Sequence, residues 1–476
     1  MEIVHSKTKI IATLGPATRD KEVLRKMIIA GVDVCRLNFS HEKHEVHLET
    51  IQRIRELNDE LDTNVAILVD LQGPKIRIGQ VEGDKILIQK DEIVEFVSYP
   101  TKCTKERFFV DYEDFAVDVE PNEEILIDDG KIKLIVTETN KIDTVKAVVI
   151  YGGYLSSRKG VNLPQTKLSL PSMTEKDIED AHFALDNDID WLALSFVRQV
   201  SDVIELKQMI KRKKKKVNVI AKIEKPQAIE NLDEIIKESD AIMVARGDLG
   251  VELDFATVPL LQKTIVEKCL EYSKPVIIAT QMMESMITSF VPTRAEANDV
   301  ANAVLDGADT LMLSGETSVG QYPVLTIKNM HKIIQHTEQN KYKYNRGISP
   351  VDTSDRFIQD SICYSASRMA EKIGAKAIIT FTEAGNTAFT ISGYRPKAEI
   401  FAFTRHKSLM SVLSLLWGVR AFLFDNFNEI NEAIEQTITI LKEKQLISCG
   451  DYVIHVASMP LKFTHRTNML KVTKIE

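Results

Sequence analysis

The sequence has few cysteines, no long apolar run and no excess of positive charge. Its 5 cysteines are scattered, odd in number and never spaced as C-x-x-C, which argues against a disulfide framework and a thiolate zinc site. No apolar stretch approaches the roughly 18 residues that a membrane span needs, and the chain does not open on a signal-peptide pattern. We therefore expect a cytoplasmic protein that does not insert into membranes.

The charge balance also argues against nucleic acid as a partner. The formal net charge is −8 at pH 7, whereas proteins that neutralise a phosphate backbone carry clustered Lys and Arg. One basic run, at 211–216, lies between a helical pattern and a strand, where a solvated helix end is the ordinary explanation. We expect small molecules as the main ligands.

At 476 residues the chain is too long for one compact core, and its patterns divide it into three parts. Short β-rich runs alternate with amphipathic helical patterns in residues 1–71 and 171–340. Together they predict an α/β fold, a (β/α)8 TIM barrel whose chemistry lies at the carboxyl ends of the strands. Residues 72–170 alternate at period two and predict a β-rich lid. Residues 341–476 predict a C-terminal α/β domain that begins in a polar linker at 339–354.

Polar residues end most of the predicted barrel strands. These strands are 9–14, 32–40, 65–71, 191–197, 217–224, 241–247, 275–281 and 310–315. Arg36, Asn38 and Ser40 are two residues apart, so their side chains project from one face of the second strand. Lys222 and Glu224 do the same on the fifth. The other strand ends carry Asp70, Arg246, Gly247, Asp248, Thr280, Ser314 and Glu316.

Glu224 and Asp248 come from adjacent strands and form a candidate Mg²⁺ site. One or two protein carboxylates with room for substrate oxygens are usual in phosphoryl transfer. The alternative is that each carboxylate merely pairs with a neighbouring basic residue. Lys222 is placed to neutralise a transferring phosphoryl group or an enolate oxygen. Arg36 and Arg77 suit bidentate contacts with phosphate.

Seven stretches in a fixed order make the sequence specific to one family. They are 8–17 (TKIIATLGPA), 36–41, 219–224, 243–250, 279–286, 292–296 and 312–317. In these stretches the chain resembles pyruvate kinase of the bacterial type, over essentially its full length. The resemblance implies a barrel with an inserted lid and a C-terminal regulatory domain, without the extra phosphohistidine domain of some bacterial relatives.

The same resemblance implies an activity and its cofactors. The reaction would transfer the phosphoryl group of phosphoenolpyruvate to ADP, giving pyruvate and ATP in glycolysis. The cofactor would be Mg²⁺, for which Mn²⁺ can substitute, and K⁺ is typical of the family. The resemblance further implies a homotetramer, since symmetric assembly is common among enzymes.

The family motifs also imply roles for individual residues. Glu224 and Asp248 would bind the catalytic Mg²⁺, and Lys222 would stabilise the phosphoryl transition state and the enolate. Substrate would be held by Arg36, Arg246, Gly247, Asp248 and Thr280. Nucleotide would be held by Asn38, His41, Arg77 and Lys159, with Asp128 and Asp129 at a second Mg²⁺. Enolate protonation would run through water near Thr280, Ser314 and Glu316.

The third strand departs from the pattern of family members that need K⁺. Those members hold K⁺ with groups matching Asn38, Ser40, Asp70 and the carbonyl of Leu71. They carry Glu where this chain has Lys75, and residues 70–75, DLQGPK, resemble the K⁺-independent branch. We hypothesise that the Lys75 ammonium supplies the charge that K⁺ supplies elsewhere. The alternative is that Lys75 points to solvent and K⁺ still binds.

Residues 382–387, TEAGNT, lie between a predicted strand and helix of the C-terminal domain. Hydroxyls, a glycine and a helix N-terminus can bind an anion, and in the family this position binds an effector phosphate. We therefore expect a phosphorylated effector at Thr382, Gly385, Asn386 and Thr387. The alternative is an ordinary capped turn. The loop 460–468 lacks the Trp expected for regulation by fructose 1,6-bisphosphate, which favours a monophosphate.

Two other functions remain open. A Mg²⁺-dependent lyase or aldolase acting through a pyruvate enolate would also use a Glu and an Asp on neighbouring strands. It would need neither the two arginines nor an inserted lid. A catalytically inactive, effector-binding sensor predicts the loss of Lys222, Glu224, Asp248 or Thr280, and all of these are present.

Overall fold

The chain opens with three buried parallel strands joined by helices. The structure is a computed structural model that describes residues 3–346, 349–350, 355–426, 429–459 and 466–476. The first elements are β1 Lys9–Thr13, a 3-10 turn Pro16–Thr18, α1 Lys21–Ile29, β2 Val34–Asn38, α2 His44–Leu61 and β3 Ala66–Asp70. Asp20 starts α1 by accepting hydrogen bonds from the N–H groups of Glu22 and Val23. The three strands are buried almost throughout, as in a parallel sheet covered on both faces.

The segment after β3 folds into mostly antiparallel sheets with a core of their own. Its elements are β4 Lys85–Ile88, β5 Ile93–Val97, β6 Arg107–Phe109, α3 Phe115–Asp118, β7 Glu124–Ile127, β8 Ile132–Thr139, β9 Thr144–Tyr151, β10 Gly153–Ser156 and β11 Val161–Asn162. Six strands form one sheet in the order β11-β7-β8-β9-β5-β6, and β10 pairs with β4. Among these described strands only β5 and β6 pair in parallel. The core is built around Phe96, Phe108 and Phe115. We call the unit from β4 to β11 the lid.

Five further strands alternate with helices and close the barrel. The elements are α4 Glu175–Asp186, β12 Trp191–Leu194, α5 Val200–Arg212, β13 Asn218–Ile223, α6 Pro226–Glu230, α7 Leu232–Glu238, β14 Ala241–Ala245, α8 Arg246–Glu252, α9 Val258–Glu271, β15 Val276–Ala279, α10 Arg294–Asp306, β16 Thr310–Leu313, α11 Gly315–Ser318 and α12 Pro323–Asn340. A 3-10 turn, Glu284–Ile287, precedes α10. Because β12 pairs with β3 and β16 with β1, the eight strands close. The predicted (β/α)8 barrel is confirmed.

The C-terminal unit is a second α/β layer. Its elements are α13 Phe357–Ile373, β17 Ala377–Phe381, α14 Asn386–Gly393, β18 Glu399–Thr404, α15 Lys407–Leu413, β19 Val419–Leu423, α16 Ile430–Glu443, β20 Tyr452–Ala457 and β21 Met469–Lys474. The sheet order is β19-β18-β17-β20-β21, with β21 antiparallel. This α/β architecture is confirmed as well. No described helix is long and apolar enough to cross a membrane.

The end of the barrel at which the strands begin packs against this C-terminal unit. Val412 and Leu415 join the cluster of side chains that fills the barrel interior. Arg395 and Asp309 form a buried ion pair at 2.6 Å between the two units. The stretch 339–354, interpreted as a linker, is partly packed, because the ring of Tyr342 stacks on Trp417 at 5.5 Å. Its residues 347–348 and 351–354 lie outside the described part of the chain.

Candidate active site

The carboxyl ends of the barrel strands open into two adjoining cavities. The smaller, of about 180 Å³, is lined by Arg36, Asn38, Ser40, His41, Asp70, Leu71, Gln72, Lys75, Arg77, Ser195, Phe196, Lys222, Glu224 and Asp248. The larger, of about 940 Å³, includes Lys75, Asp129, Arg246, Gly247, Asp248, Thr280, Ser314 and Glu316 in its lining. The structure thus brings together most of the residues that the sequence analysis singled out, and Lys75 and Asp248 line both cavities.

Four charged side chains form a buried row of alternating sign. Arg36 Nε donates to Asp70 Oδ2 at 2.8 Å. Lys222 Nζ lies 3.2 Å from Asp70 Oδ1 and 3.0 Å from Glu224 Oε1. None of the four residues is more than 9% exposed. Arg36 Nη1 also donates to Thr13 Oγ1 at 2.9 Å, a contact that the sequence analysis missed.

Burial and neighbouring charges shift the pKa values of the two carboxylates of this row, Asp70 and Glu224, in opposite directions. Burial raises the pKa of Asp70, but the charges of Lys222 and Arg36 outweigh it and hold that pKa below its usual value. For Glu224, burial and the negative charge of Asp248 outweigh the attraction of Lys222 and raise the pKa. Burial lowers the pKa of Lys222, yet its two carboxylates raise it overall. Lys222 therefore carries a positive charge, and its attraction does not by itself offset the effect of burial and of Asp248 on Glu224.

The residues expected to hold Mg²⁺ fit that role. Glu224 Oε1 is buried and, among the described residues, has no hydrogen-bond partner despite its closeness to the Lys222 ammonium. Asp248 presents a side chain that is 29% exposed at the junction of the two cavities. A divalent cation prefers carboxylate oxygens and would supply the positive charge that Glu224 lacks.

Lys75 does not point freely to solvent. Its Nζ lies 3.4 Å from Asp248 Oδ1, and its side chain is 27% exposed. The lid covers its stem, because a Cβ placed on Gly160 would lie 3.1 Å from Lys75 Cε. The carboxylate that Lys75 contacts is therefore Asp248, although Lys75 lines the same cavity as Asp70.

The predicted monovalent-cation pocket is already rich in contacts. Asn38 Oδ1 accepts a hydrogen bond from Ser40 N at 3.1 Å, and the Leu71 carbonyl accepts one from Ser195 Oγ at 2.8 Å. Asp70 provides the carboxylate of this pocket, and it forms ion pairs with both Arg36 and Lys222. A K⁺ ion there would compete with two cations that the protein supplies itself.

Strand β12 contributes two groups that the sequence analysis missed. Ser195 Oγ accepts a hydrogen bond from Lys222 Nζ at 2.7 Å. Phe196 N donates to Glu224 Oε2 at 2.7 Å, from a backbone with a φ of 54°. Both residues directly follow Leu194, the last residue of the strand. Their position at a strand end could have identified them, but neither carries a charge.

The larger cavity is lined by a strained backbone. Gly247 N donates to Thr280 Oγ1 at 2.8 Å, and a Cβ on Gly247 would lie only 3.3 Å from that oxygen. Thr280 has a φ of 71°, which is unusual for a β-branched residue and typical of functional sites. The Arg246 guanidinium binds Asp299 at 2.8 Å and the Thr280 carbonyl at 2.7 Å. Arg246 therefore ties the start of α8 to the loop after β15, beside the residues that line the larger cavity.

Glu316 is buried, and its carboxylate binds the backbone. It accepts hydrogen bonds from Met283 N at 3.1 Å and from Ser314 N at 2.7 Å. Glu316 thereby ties the end of β16 to the loop after β15, which carries Thr280. This geometry suits a residue that fixes the cavity wall.

Comparison with known proteins agrees with this geometry. The family model for the pyruvate kinase barrel domain matches residues 5–327, and that for the pyruvate kinase alpha/beta domain matches residues 360–473. Pyruvate kinase 2 of Synechocystis is 42% identical over 99% of this chain and 79% of its own. The pyruvate kinase of Mycobacterium tuberculosis is 40% identical over 98% of each chain. The chain belongs to the pyruvate kinase family.

The fold and the reaction follow from that membership. A crystal structure of a Cryptosporidium parvum pyruvate kinase superposes with a TM-score of 0.93 at 36% identity, over 99% of this chain and 96% of the other. The resemblance noted in the sequence is confirmed, and so is the enzyme class. The protein is a phosphotransferase that converts phosphoenolpyruvate and ADP to pyruvate and ATP.

The residues expected to hold nucleotide lie where the lid meets the barrel. Lys159 Nζ is 2.8 Å from Asp128 Oδ1. Arg77 donates to a lid backbone carbonyl at 3.1 Å and lines the smaller cavity with the exposed His41. Asp129 lines the larger cavity. Arg77, His41 and Asp129 thus line the two cavities, and the ion pair of Lys159 with Asp128 lies in the lid beside them.

The expected effector loop of this pyruvate kinase is a tight turn before α14. Gly385 has a φ of 86°, and its N–H donates to Thr382 Oγ1 at 2.9 Å. Thr387 Oγ1 lies 2.8 Å from Thr467 Oγ1, and Asn386 is the first residue of α14. Both the effector site and the plain capped turn are compatible with these contacts. Residues 460–465 of the late loop lie outside the described residues.

Proposed function

We propose that the buried row Arg36–Asp70–Lys222–Glu224 carries out phosphoryl transfer in glycolysis, in the cytoplasm. We also propose a homotetramer, with a barrel of residues 1–71 and 171–340, a lid of 72–170 and a regulatory domain of 341–476. The observation that carries the catalytic proposal is the position of Lys222. Its ammonium is buried, has a raised pKa, lies 3.0 Å from Glu224 and lines the smaller cavity together with Glu224 and Asp248.

The proposed mechanism divides the work among a few side chains. Mg²⁺ held by Glu224 and Asp248 would neutralise charge on the substrate. The guanidinium of Arg36 holds the phosphoryl group, and Lys222 stabilises charge on that group and on the enolate as it forms. The bond from phosphorus to the enol oxygen breaks, and a bond to a β-phosphate oxygen of ADP forms. The enolate then takes a proton at carbon from water held near Thr280.

The remaining residues position substrate and exclude water. Backbone N–H groups at the start of α8, around Gly247, bind the substrate carboxylate together with the Thr280 hydroxyl. Ser314 and Glu316 fix the wall beside them. Asn38, His41, Arg77 and Lys159 would contact the nucleotide, and Asp128 and Asp129 would hold its second Mg²⁺. The lid covers this assembly and keeps water from accepting the phosphoryl group.

We further propose that K⁺ is dispensable because Lys75 provides a fixed cation. Its ammonium lies between the two cavities, and the lid covers its stem. The test is pyruvate formation from phosphoenolpyruvate and ADP with Mg²⁺, first without K⁺ and then with K⁺ added. Full activity without K⁺ supports the Lys75 role. Activity only with K⁺ would contradict this role and would favour a K⁺ ion bound by Asn38, Ser40, Asp70 and the Leu71 carbonyl.

A phosphorylated effector bound at Thr382, Gly385, Asn386 and Thr387 is the proposed regulator. The support is the turn itself, where the Thr382 hydroxyl and the left-handed Gly385 precede α14 and the Thr387 hydroxyl lies in the first turn of that helix. Titrating the activity with sugar monophosphates and nucleoside monophosphates tests this proposal. If no phosphorylated compound changes the activity, the loop is a capped turn. If no pyruvate forms with or without these compounds, the result contradicts phosphoryl transfer at this site and favours the lyase or the sensor hypothesis.

A further inference from the structure

A buried polar cluster joins the lid to α8, outside the residues assigned to the reaction. Glu252, the last residue of α8, accepts two hydrogen bonds at Oε1, from Lys225 Nζ at 2.6 Å and from Asn162 Nδ2 at 2.7 Å. The Glu252 side chain is 0% exposed and that of Lys225 is 11% exposed. Because a buried carboxylate is costly to desolvate, removing either donor leaves it poorly compensated. The cluster therefore holds Asn162 of the lid to Lys225 and Glu252 of the barrel by contacts that are costly to break.

The three members of this cluster come from three separate parts of the chain. Asn162 lies in β11 of the lid, Lys225 directly follows Glu224, and Glu252 ends the short helix whose first turn carries Asp248. The cluster thus lies within a few residues of both expected Mg²⁺ ligands. A shift of Glu252 would be transmitted along α8 to Asp248 and through Lys225 to Glu224.

On its other side the cluster leads to the nucleotide end of the lid. In the pairing of β11 with β7, Asn162 lies opposite Leu126, two residues before Asp128. The turn after β7 also approaches α8, since a Cβ on Gly130 would lie 3.9 Å from a methyl carbon of Val251. Holding Asn162 therefore fixes the lid acidic pair relative to the barrel.

We propose that Glu252 is a positioning residue that couples lid docking to the placement of the two Mg²⁺ carboxylates. Its bond to Asn162 fixes the lid, and its ion pair with Lys225 fixes the ends of β13 and α8. Phosphoryl transfer requires donor and acceptor at a set distance, and here they are held by barrel and lid respectively. The inference rests on the proposed roles of Glu224 and Asp248.

The test compares Asn162→Ala and Glu252→Gln with the parent enzyme. Asn162→Ala should raise the KM for ADP about tenfold and weaken Mn²⁺ binding by a smaller factor, while the KM for phosphoenolpyruvate changes less than about twofold. Glu252→Gln should raise the KM for ADP and also weaken Mn²⁺ binding about tenfold, as for other groups that orient metal ligands. Mn²⁺ binding is measured on the protein alone, by electron paramagnetic resonance of the free ion. Amide hydrogen exchange follows the opening of β11 and β7.

Two controls separate this role from general stability. Glu124→Gln breaks the lid ion pair with Lys133, at 2.5 Å, away from α8. It should leave both the KM for ADP and Mn²⁺ binding near the parent values. Lys225→Arg keeps the charge and should retain most of the Mn²⁺ affinity that Lys225→Met loses. An effect of Glu124→Gln equal to that of Asn162→Ala, or no effect of Asn162→Ala on the KM for ADP, would overturn the proposal.

Failure of the proposed function gives a different pattern. In that case the parent enzyme forms no pyruvate, and hydrogen exchange and Mn²⁺ binding still test the coupling. Faster exchange in β11 together with weaker Mn²⁺ binding in Glu252→Gln supports it. Unchanged exchange and binding in that variant overturn it.

Discussion

Replacing Lys222 by methionine removes the cation that lies between two buried carboxylates. Methionine has nearly the same length and no charge, so the change isolates the ammonium. Asp70 keeps its pair with Arg36, whereas Glu224 has no other ion pair among the described residues. Breaking one partner out of a buried pair costs about 3–5 kcal/mol in protein stability. The variant should therefore fold with a lower Tm.

The effect on turnover should be larger than the effect on folding. A fixed donor aimed at charge that develops in the transition state contributes about 10²–10³ in kcat. Lys222 faces both the phosphoryl group and the enolate in the proposed mechanism, so Lys222→Met should lower kcat by about 10³ or more. The assay is kcat at saturating phosphoenolpyruvate, ADP and Mg²⁺. Circular dichroism and Tm confirm that the variant is folded.

The pH dependence distinguishes a direct role of Lys222 from support of Glu224. Burial already raises the pKa of Glu224, and loss of the ammonium raises it further, so the variant binds Mg²⁺ less well at low pH. Raising the pH ionises Glu224 and restores metal binding, but it cannot restore the lost ammonium. Recovery of kcat at high pH or high Mg²⁺ would refute direct transition-state stabilisation. Lys9→Met, a change of another buried lysine at the opposite end of the barrel, should lower Tm with kcat near the parent value.

Three further predictions test other parts of the structure. Lys75→Glu should make activity depend on added K⁺. The variant Lys75→Met is the control that measures the loss of the positive charge alone. Equal rates with and without K⁺ in Lys75→Glu would contradict the fixed-cation hypothesis. Burial raises the pKa of Asp190 to about 6, so this carboxyl stabilises the fold below its unfolded pKa and loses that contribution as the pH rises through about 6. The unfolding free energy of the parent relative to Asp190→Asn should therefore fall by roughly 3 kcal/mol between about pH 4 and 7, measured by urea unfolding, and a constant difference would show that Asp190 does not titrate in this range. Thr382→Ala should raise the half-activating concentration of a phosphorylated effector about tenfold, because a hydrogen bond to a charged group is lost. An unchanged value would favour the capped turn.

The barrel could be predicted from sequence because its strands are short apolar runs with polar residues at one end. Each observed barrel strand lies within its predicted range, and most of the excess in the predicted ranges is at the carboxyl ends. The range 275–281 ends early, at Ala279, because Thr280 and Gln281 have φ values of 71° and 54°. A positive φ at a β-branched residue has no sequence pattern, since tertiary contacts such as the Gly247 N–H bond impose it.

For the candidate site, charge at a strand end was the strongest indication in the sequence. Lys222 and Glu224 stand out because ionisable side chains at strand ends are costly to bury. Ser195 and Thr13 do not stand out, because uncharged hydroxyls occur throughout the chain and gain significance only from the partner they meet. The contact of Lys75 with Asp248 could not be predicted from the sequence either, since it depends on Gly160 of the lid covering the aliphatic part of the Lys75 side chain.

The alternating charges of the site explain how it can hold so many ionisable groups and still bind a highly charged substrate. Arg36, Lys222 and Lys75 each contact a carboxylate of Asp70, Glu224 or Asp248, so the charges compensate one another within the protein. Mg²⁺ at Glu224 and Asp248 would weaken the hold of these carboxylates on Lys222 and Lys75, and both ammonium groups would become available to the phosphoryl group. Asp70, whose pKa is held low by Lys222 and Arg36, would keep those two cations in place throughout. Glu224 and Asp70 are thus distinguished by their pKa shifts, because burial raises the pKa of Glu224 whereas Lys222 and Arg36 hold that of Asp70 below its usual value.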